Sequence, residues 1–316
     1  MSAAGSGPVL VTGATGFAGS HLVDYLLDLG EGVTGWARAG SYSGWRDPRV
    51  GWQEVDVLDR RAVADAIREL RPRTVFHLAG LPHVGESWKQ ADRALAVNAL
   101  GTHHLVDAVE QHAPGCRLVV SGSALVYRPS PEALRVDSPL GPADPYGISK
   151  LAQEMVVARA GVAAVRTRPF NHAGPRQSEA FVTSSFAKQI AEIEAGLRPP
   201  TLEVGNLDAR RDITDVRDTV RAYGALTASG TTGAVYNICS GTAHTVGDLL
   251  EQLLRLSKAR IDVRQDPARM RPSDNPVVLG DHARLTADTG WAPTIPIAQT
   301  LADLLTWWRS MVRQAP

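Results

Sequence analysis

The chain of 316 residues has little cysteine, no excess of one charge and no long apolar run. Its two cysteines, Cys116 and Cys239, lie far apart in apolar, strand-like segments, which argues against a disulfide framework and suits a reducing cytoplasm. Lysine plus arginine and aspartate plus glutamate both number 33, so the formal net charge is zero. This balance lacks the basic footprint of a nucleic-acid or membrane-surface partner.

The sequence also shows no pattern typical of a signal peptide or a membrane-spanning helix. The N-terminal MSAAGSGP has no basic stretch, and the apolar run behind it is too short for a signal peptide. No segment approaches the roughly 18 uncharged apolar residues that a membrane-spanning helix needs. We therefore expect a cytoplasmic protein with neither membrane nor nucleic acid as partner.

The first half of the chain alternates between strand-like and helix-like patterns. Short runs rich in Val and Leu occur at 9–12, 32–36, 52–57, 74–79 and 117–121. Helical periodicity occurs between and after them, at 17–29, 60–70, 89–112 and 147–160. Near-continuous apolar strands alternating with helices are typical of βαβ units. The pattern predicts an α/β fold with a doubly wound parallel sheet.

A glycine-rich turn follows the first strand directly. Strand PVLVTG leads through GATGFAG into the helical HLVDYLLDLG. The first glycine permits a tight turn, the second lets the backbone approach a pyrophosphate, and the third allows close packing of helix on strand. The phosphates would lie at the helix N-terminus, where N–H groups are unpaired. The turn therefore predicts dinucleotide binding through Gly13, Thr15, Gly16, Phe17, Ala18 and Gly19.

The second strand indicates which dinucleotide is bound. Strand VTGW runs into Arg38, and no acidic residue occurs between Glu31 and Asp47. NAD-binding folds usually place an acid here to hold the ribose 2′-hydroxyl, whereas an arginine can pair with a 2′-phosphate. We therefore expect NADP(H) rather than NAD(H). At the end of the third strand, Asp56 and Val57 are expected to bracket the adenine.

Three residues form a candidate catalytic group. Tyr146 and Lys150 lie in DPYGISK at the start of a helix, and a spacing of four puts both on one helical face. A nearby ammonium lowers the pKa of a phenol, which makes it usable as an acid–base catalyst. Ser123 ends the strand RLVVSGS at the carboxyl edge of the sheet, where ligands of open α/β sheets bind. Its hydroxyl can donate to a substrate carbonyl.

The pattern changes beyond about residue 172. Loops rich in Pro, Gly and Arg appear, although AAVRTRPF and AVYNICSG still resemble sheet strands, and 243–257 resembles a helix. We expect a smaller C-terminal lobe interleaved with the end of the sheet. The predicted division assigns 8–171 and 208–240 to a dinucleotide-binding domain of the Rossmann type, and 172–207 and 241–314 to the substrate-binding lobe.

Together these motifs resemble the extended short-chain dehydrogenase/reductases. The resemblance rests on GATGFAG, the strand HLAG, Asn98 in VNALGT, Ser123 and the pair Tyr146 and Lys150, and it spans about 8 to 310. In such enzymes the lysine also holds the nicotinamide ribose. The resemblance extends the predicted cofactor contacts to Leu78, Ala79, Gly80, Asn98, Tyr146 and Lys150.

Three segments resemble one group within that family. RPFNHAGPRQSEAF and VGNLDARRDITDVRD in the second half of the chain, and LPHVGESW earlier, are similar to segments of the GDP-mannose 4,6-dehydratases and GDP-4-keto-6-deoxymannose reductases. The resemblance implies a nucleotide-sugar substrate, with Asn171 at the diphosphate and Arg211 and Arg271 at its phosphate and ribose regions. The full set of substrate-binding residues that it implies is His83, Ser87, Ser123, Asn171, Val182, Lys188, Arg211, Arg271 and Asp274.

Two positions depart from this group. Dehydratases carry acidic residues after the catalytic Ser or Thr, and dehydration needs such a carboxylate to take the C5 proton. This chain has Ala124-Leu125-Val126 instead, and Arg128 where the family usually has Gly. Leu125 cannot move a proton, so the sequence argues against dehydration, while hydride transfer needs no group beyond Ser123, Tyr146 and Lys150.

These features predict NADP(H)-dependent reduction of the C4 ketone of a nucleotide-activated 6-deoxy-4-keto-hexose, with a GDP-hexose favoured. A nucleotide-sugar 4-epimerase or a GDP-mannose 4,6-dehydratase on the same fold stays open, as does, more remotely, a non-catalytic dinucleotide-binding protein. Helices 89–112 and 145–160 commonly form a dimer interface in this family, which implies a homodimer. No metal is expected, because His83, His103, His104 and His172 match no zinc-ligand spacing.

Overall fold

The protein is described by a computed structural model that covers residues 7–40, 45–269 and 275–314. In chain order its strands are β1 (Val9–Thr12), β2 (Val33–Ala37), β3 (Gly51–Glu54), β4 (Thr74–His77), β5 (Arg117–Ser121), β6 (Ala163–Pro169), β7 (Asn171–Ala173), β8 (Thr201–Val204), β9 (Arg210–Asp215), β10 (Val235–Ile238), β11 (Ala243–Thr245), β12 (Asp262–Gln265) and β13 (Val277–Val278). Its α-helices are α1 (Phe17–Asp28), α2 (Arg60–Leu70), α3 (Val84–Ser87), α4 (Ala91–Leu95), α5 (Gly101–His112), α6 (Pro145–Ala158), α7 (Val182–Glu194), α8 (Val216–Ser229), α9 (Val246–Leu256), α10 (Ala283–Thr289) and α11 (Ile297–Gln314).

Seven strands form one parallel sheet in the order β10-β6-β5-β4-β1-β2-β3. Strand β1 lies between β2 and β4, with Val9 opposite Val33 on one side and Thr74 on the other. Both β1 and β4 are buried at every position, as expected for strands covered on both faces. This arrangement confirms the predicted doubly wound parallel sheet. The strand order reverses between β1 and β4, and a crevice opens there at the carboxyl ends.

Helices cover the two faces of this sheet. On one face α1 and α8 pack together, and their Leu22 and Tyr223 are fully buried in a single apolar cluster. On the other face α2 and α5 pack together through side chains that include Ile67 and Leu105. Each such buried side chain stabilises the fold by roughly 1.5–3 kcal/mol. The sheet is therefore a rigid platform for residues that follow its carboxyl ends.

The long helix expected at 89–112 contains a change of pitch. Its middle section, Ala96–Leu100, is a π-helical turn between α4 and α5. Such a turn admits an extra residue, and π-turns often occur at functional sites. A second boundary also differs from prediction: the helix expected at 243–257 begins at Val246. Residues 243–245 form β11, and Thr245 then caps α9 in a capping box with Asp248.

A second, smaller set of elements follows β6. Strands β7, β13 and β11 all pair with β9, while β8 pairs with β12. Helices α7, α9 and α11 pack on one another around a separate apolar cluster that includes Ile190, Leu249 and Leu304. None of the helices in the described ranges is long and apolar enough to cross a membrane.

Candidate active site

The glycine-rich turn brings the start of α1 against the end of β4. Gly13 has a φ of +67°, and a Cβ there would lie 2.8 Å from the backbone nitrogen of Ala79 and 2.9 Å from the carbonyl carbon of Leu78. A Cβ on Gly19 would collide with the carbonyl oxygen of Gly13. Both positions therefore require glycine, and the predicted contact residues Leu78 and Ala79 line this turn.

The N-terminus of α1 is suited to an anion. Its N-cap is Gly16, which supplies no side-chain cap, and the first turn of the helix has no acidic residue. The backbone N–H groups of this turn can therefore bind phosphate oxygens, with support from the helix dipole. Thr15, Phe17 and Ala18 are partly exposed around the turn. The structure thus brings the predicted pyrophosphate-binding residues together.

The residues predicted to bind the adenosine end of the cofactor differ in their exposure. Arg38 is exposed just after β2, and Asp56 is exposed beyond β3, where its carboxylate accepts a hydrogen bond from the backbone nitrogen of Leu58 at 2.9 Å. Val57 is buried, and its carbonyl oxygen lies 3.0 Å from Nδ1 of His104. Arg38 and Asp56 are therefore accessible to a ligand, while the Val57 side chain is part of the core.

The candidate catalytic group assembles between β5 and α6. Helix α6 begins where the Asp144 carboxylate accepts a hydrogen bond from the backbone nitrogen of Gly147 at 2.8 Å. This cap places Tyr146 in the first turn of α6 and Lys150 one turn later. Ser123, just beyond β5, lies close enough to the Tyr146 side chain to affect its pKa. The structure therefore brings together the three residues predicted from their spacing.

Burial moves two pKa values in this group toward the neutral form of each side chain. It raises the pKa of Tyr146 to about 12, and the nearby Ser123 hydroxyl acts in the opposite direction. Burial lowers the pKa of Lys150 to about 8. Tyr146 is thus a protonated phenol at neutral pH, and Lys150 is close to its titration point.

Gly80 is the place where the π-turn and α6 converge. A Cβ on Gly80 would lie 2.8 Å from Oδ1 of Asn98 and 3.3 Å from Nζ of Lys150. Asn98 is fully buried: its Oδ1 accepts from the backbone nitrogen of Leu81 and its Nδ2 donates to Oγ of Ser149, both at 2.8 Å. The amide of Asn98 is therefore occupied inside the protein, next to the backbone at Gly80.

Four predicted substrate-binding residues lie in loops and elements at or near the surface. The His83 ring, before α3, lies 5.1 Å from the ring of Phe181, which precedes α7. Asn171 is exposed on β7, and Val182 is 39% exposed at the start of α7. Arg211 on β9 donates to the carbonyl oxygens of neighbouring residues and makes further contacts. These four predicted residues are thus accessible or partly accessible.

Two predicted residues have side chains that neighbouring groups of the protein already engage. Ser87 is fully buried, and its hydroxyl donates to the carbonyl oxygen of Val84 at 2.7 Å within the short α3. The Lys188 ammonium lies 3.0 Å from a carboxylate oxygen of Glu179 and also faces the Trp308 ring. The prediction for these residues relied on resemblance alone, which does not show how neighbours occupy a side chain. Arg271 and Asp274, predicted at the same site, lie outside the described residues.

Other residues near the site gave no signal in the sequence. The rings of Phe17 and His172 stack at 5.6 Å, and Nε2 of His21 lies 2.8 Å from the carbonyl oxygen of Pro175. These contacts join α1 to β7 and the segment after it, about 150 positions along the chain. His172 was predicted only to match no zinc-ligand spacing. No cluster of three or more potential metal ligands occurs in the ranges that the structure covers.

Comparison with known proteins identifies relatives over the whole chain. The family model for GDP-mannose 4,6 dehydratase matches residues 10–304. GDP-6-deoxy-D-mannose reductase from Pseudomonas aeruginosa is 37% identical, over 97% of this chain and 98% of that protein. UDP-glucose 4-epimerase from Bacillus subtilis is 28% identical, over 96% of this chain and 97% of that protein. The solved structure of RMD from Pseudomonas aeruginosa complexed with NADPH superposes with a TM-score of 0.83 at 34% identity, over 97% of this chain and 100% of that one.

Proposed function

The chain belongs to the GDP-mannose 4,6 dehydratase family, and from that membership we propose that it is a reductase. Its reaction is the NADPH-dependent reduction of the C4 ketone of a GDP-linked 4-keto-6-deoxyhexose. The observation that carries this proposal is the grouping of Ser123, Tyr146 and Lys150 without a carboxylate at position 125. The reductase relative and the NADPH-bound solved structure from Pseudomonas aeruginosa support it.

The residues around the glycine-rich turn fit a dinucleotide. A Cβ at Gly13 or Gly19 would meet backbone atoms, and the uncapped N-terminus of α1 can receive the pyrophosphate. Arg38, exposed after β2 where NAD enzymes usually carry an acid, favours a cofactor with a 2′-phosphate. NADPH, when bound, supplies the hydride that reduces the C4 carbon.

The candidate catalytic residues handle the charge that develops on the C4 oxygen. The Ser123 hydroxyl, close to Tyr146, can donate to the ketone oxygen and polarise it. Tyr146 gives its proton to that oxygen as negative charge forms there, which completes the alcohol. The Lys150 ammonium stabilises the phenolate that Tyr146 becomes. Positioning and electrostatics therefore supply most of the rate.

Position 125 separates reduction from dehydration. Ser123 is followed by the short 3₁₀ turn Ala124–Val126, and the backbone nitrogen of Leu125 donates to the serine oxygen at 3.1 Å. Dehydration needs a carboxylate that takes a carbon-bound proton, and leucine has no such group. The reductase proposal requires no acid here, so Leu125 is compatible with it.

We also propose that the protein is a cytoplasmic homodimer. Exposed apolar side chains lie on neighbouring elements that pack together, namely α3, α4, the π-turn and α6. Ile148 and Met155 are 49% and 62% exposed and lie seven positions apart, on one face of α6. The others are Trp88, Leu95 and Leu100. Such a patch suits a second copy of the chain, and the buried free thiols of both cysteines suit a reducing compartment.

The test is reduction of GDP-4-keto-6-deoxymannose by the purified protein and its Tyr146→Phe variant. We expect the unaltered protein to oxidise NADPH in step with sugar reduction. The variant should lose at least about 100-fold in kcat, because general acid catalysis typically contributes this much. Its Kd for NADPH should change by less than about threefold, since the phenol hydroxyl mainly acts on the sugar oxygen.

Tyr25→Phe is the matched control. Tyr25 lies on α1, against Gly224 and away from the candidate catalytic group, and its loss of a hydroxyl should leave kcat within about twofold. Unchanged turnover in Tyr146→Phe would contradict the proposed role of that residue. Conversion of the sugar without net NADPH oxidation would instead indicate a 4-epimerase.

A further inference from the structure

A buried chain of hydrogen bonds runs from the end of β1 to Lys150. Each of its members is at most 5% exposed. We call it the Thr12–Lys150 chain. Its first two hydrogen bonds join Thr12 Oγ1 to His77 Nδ1 and His77 Nε2 to Thr102 Oγ1, both at 2.8 Å. The next two join Thr102 Oγ1 to Gln153 Nε2 at 2.9 Å and Gln153 Oε1 to Lys150 Nζ at 3.0 Å. It connects four elements that surround the candidate cofactor site: β1, β4, α5 and α6.

The direction of each hydrogen bond follows from Thr102. Its hydroxyl donates to the carbonyl oxygen of Asn98 at 2.6 Å, inside the helix. A hydroxyl has one proton, so the Thr102 oxygen can only accept from its other two partners. Those partners are the Gln153 amide and the His77 ring. Gln153 therefore donates through its NH₂ group, and His77 donates through Nε2.

The tautomer of His77 then determines the bond to Thr12. With its proton on Nε2, a neutral imidazole accepts at Nδ1, so the Thr12 hydroxyl donates to it. The Thr12 oxygen in turn accepts from the backbone nitrogen of Ala79 at 3.1 Å, next to the glycine-rich turn. Burial and the nearby Lys150 ammonium lower the pKa of His77 to about 3, which agrees with a neutral ring.

Gln153 has one permitted orientation in this chain. Its NH₂ group must face Thr102, so its carbonyl oxygen faces Lys150, and a flipped amide would set donors against an ammonium. Lys150 also donates to the carbonyl oxygen of Ser121 at 2.9 Å. Two neutral oxygens thus hold two of its three N–H donors, and one donor is left for another acceptor.

We propose that Gln153 is a positioning residue that holds the Lys150 ammonium above Gly80, where it can reach a ribose hydroxyl of the cofactor. The rest of the Thr12–Lys150 chain keeps the Gln153 carbonyl turned toward Lys150. This inference rests on the proposed function, because it assumes that Lys150 contacts NADPH. It assigns a role to a residue that carries no charge and no reactive group of its own.

The titratable groups described next to Lys150 do not themselves titrate near pH 8. Tyr146 lies one helical turn earlier, and burial raises its pKa to about 12. His77 faces Lys150 from β4 and is neutral above pH 3. Glu154, the residue after Gln153, is bound at 2.6 and 2.9 Å by the guanidinium of Arg168. Titration near pH 8 therefore reports on Lys150 itself.

The test is the pH dependence of NADPH affinity, measured through the fluorescence of the cofactor. Affinity should fall as Lys150 loses its proton, with a midpoint near its pKa of about 8. Gln153→Met keeps the length of the side chain and removes the acceptor, so the midpoint should move down by about one pH unit. Gln153→Glu puts a carboxylate oxygen at the ammonium, so the midpoint should move up by at least a similar amount.

Gln189→Met is the matched control for loss of a buried glutamine. Gln189 is 4% exposed on α7, and its amide bonds the backbone of Glu203 in β8, far from Lys150. This variant should keep the midpoint of the unaltered protein even if its Tm falls as much as that of Gln153→Met. A shared midpoint in Gln153→Met, Gln189→Met and the unaltered protein would overturn the proposal.

Two further outcomes stay decisive. If Gln153→Met does not fold, Gln153→Glu decides, because an unchanged midpoint would show that the side chain at position 153 does not contact the Lys150 ammonium and would overturn the proposal. If the unaltered protein binds NADPH but reduces no keto sugar, the proposed function fails. The role of Gln153 is then still judged by the midpoints, since binding needs no turnover.

Discussion

At the scale of single residues, the pKa values of Tyr146 and Lys150 suit one direction of hydride transfer. A reduction needs a proton donor for the new alkoxide, and a phenol with a pKa of about 12 stays protonated across the physiological range. The protonated form of Tyr146 is therefore the form that the proposed reduction needs at the start of the reaction.

Buried neutral histidines should make the protein sensitive to acid. Burial is the main cause that lowers the pKa of His77 to about 3 and that of His21 to about 4. In the unfolded chain both take up a proton near pH 6.5, so between pH 6.5 and about 4 the unfolded state binds more protons and stability falls as pH falls. We expect Tm to drop steadily over this range in a thermal melt. A Tm that stays level from pH 7 to pH 5 would rule this out.

A substitution tests the source of that acid sensitivity. His21→Gln removes one of the titrating rings, so its Tm should fall less steeply with decreasing pH than that of the unaltered protein. His103→Gln, on the exposed surface of α5, should leave the slope unchanged. Equal slopes in all three proteins would show that His21 does not contribute.

The candidate catalytic residues could be predicted, but their supporting residues could not. Tyr146 and Lys150 are related by helical spacing, and Ser123 follows a recognisable strand, so local patterns suffice. Gln153 and Thr102 meet although they are 51 positions apart in the sequence. A contact of this kind depends on how α5 and α6 pack, and neither segment carries a pattern that specifies it.

At the scale of elements, the close contact between the glycine-rich turn and the end of β4 should control cofactor affinity. Gly13→Ala adds a Cβ only 2.8 Å from the backbone nitrogen of Ala79, at a φ of +67°. The turn must then move away from β4, and we expect NADPH affinity to fall at least about tenfold, as misplacement of phosphate-binding N–H groups costs more than about 1.4 kcal/mol. Fluorescence titration measures this change.

Gly30→Ala separates backbone strain from the contact at the turn. Gly30 has a similar φ of +77°, but a Cβ there meets no atom within 4 Å. This variant should lower Tm through strain of about 1 kcal/mol and leave the Kd for NADPH unchanged. If both variants lose NADPH affinity equally, the contact with β4 is not the cause.

The elements that could be predicted from the sequence are those with a simple hydrophobic pattern. Inner strands of the central sheet such as β1 and β4 are buried on both faces and are apparent as apolar runs. By contrast, β9 has the sequence RRDITD and β12 is exposed at every position, so neither carries such a run. The π-turn at Ala96–Leu100 was also missed, because one extra residue hardly alters the periodicity of a long helix.

At the scale of the whole molecule, the apolar patch on α6 and its neighbours should determine the oligomeric state. Met155→Glu places a charge in the proposed dimer interface, and we expect the mass in solution to fall from two chains to one in light scattering. Leu197→Glu is the control, because Leu197 is 66% exposed beyond α7, away from the patch. A monomeric unaltered protein would contradict the dimer directly.

The division of the chain into domains stays a prediction. Strand β9 lies within 208–240, which was assigned to the dinucleotide-binding domain, yet it pairs with β7, β11 and β13 in the smaller sheet. The helix that follows it, α8, packs on α1 beside the central sheet. The chain thus crosses between the two sets of elements within a few residues, which makes them difficult to separate by sequence position.

The stacked rings of Phe17 and His172 have a consequence for the order in which ligands arrive. Phe17 begins the helix at which we propose that the pyrophosphate binds, and His172 lies next to Asn171, which is predicted at the sugar diphosphate. Under the proposed function, a bound dinucleotide would restrain Phe17 and, through the stacked rings, His172. The proposed function therefore predicts ordered binding, in which the cofactor binds first and fixes the residues beside Asn171 before the nucleotide sugar arrives.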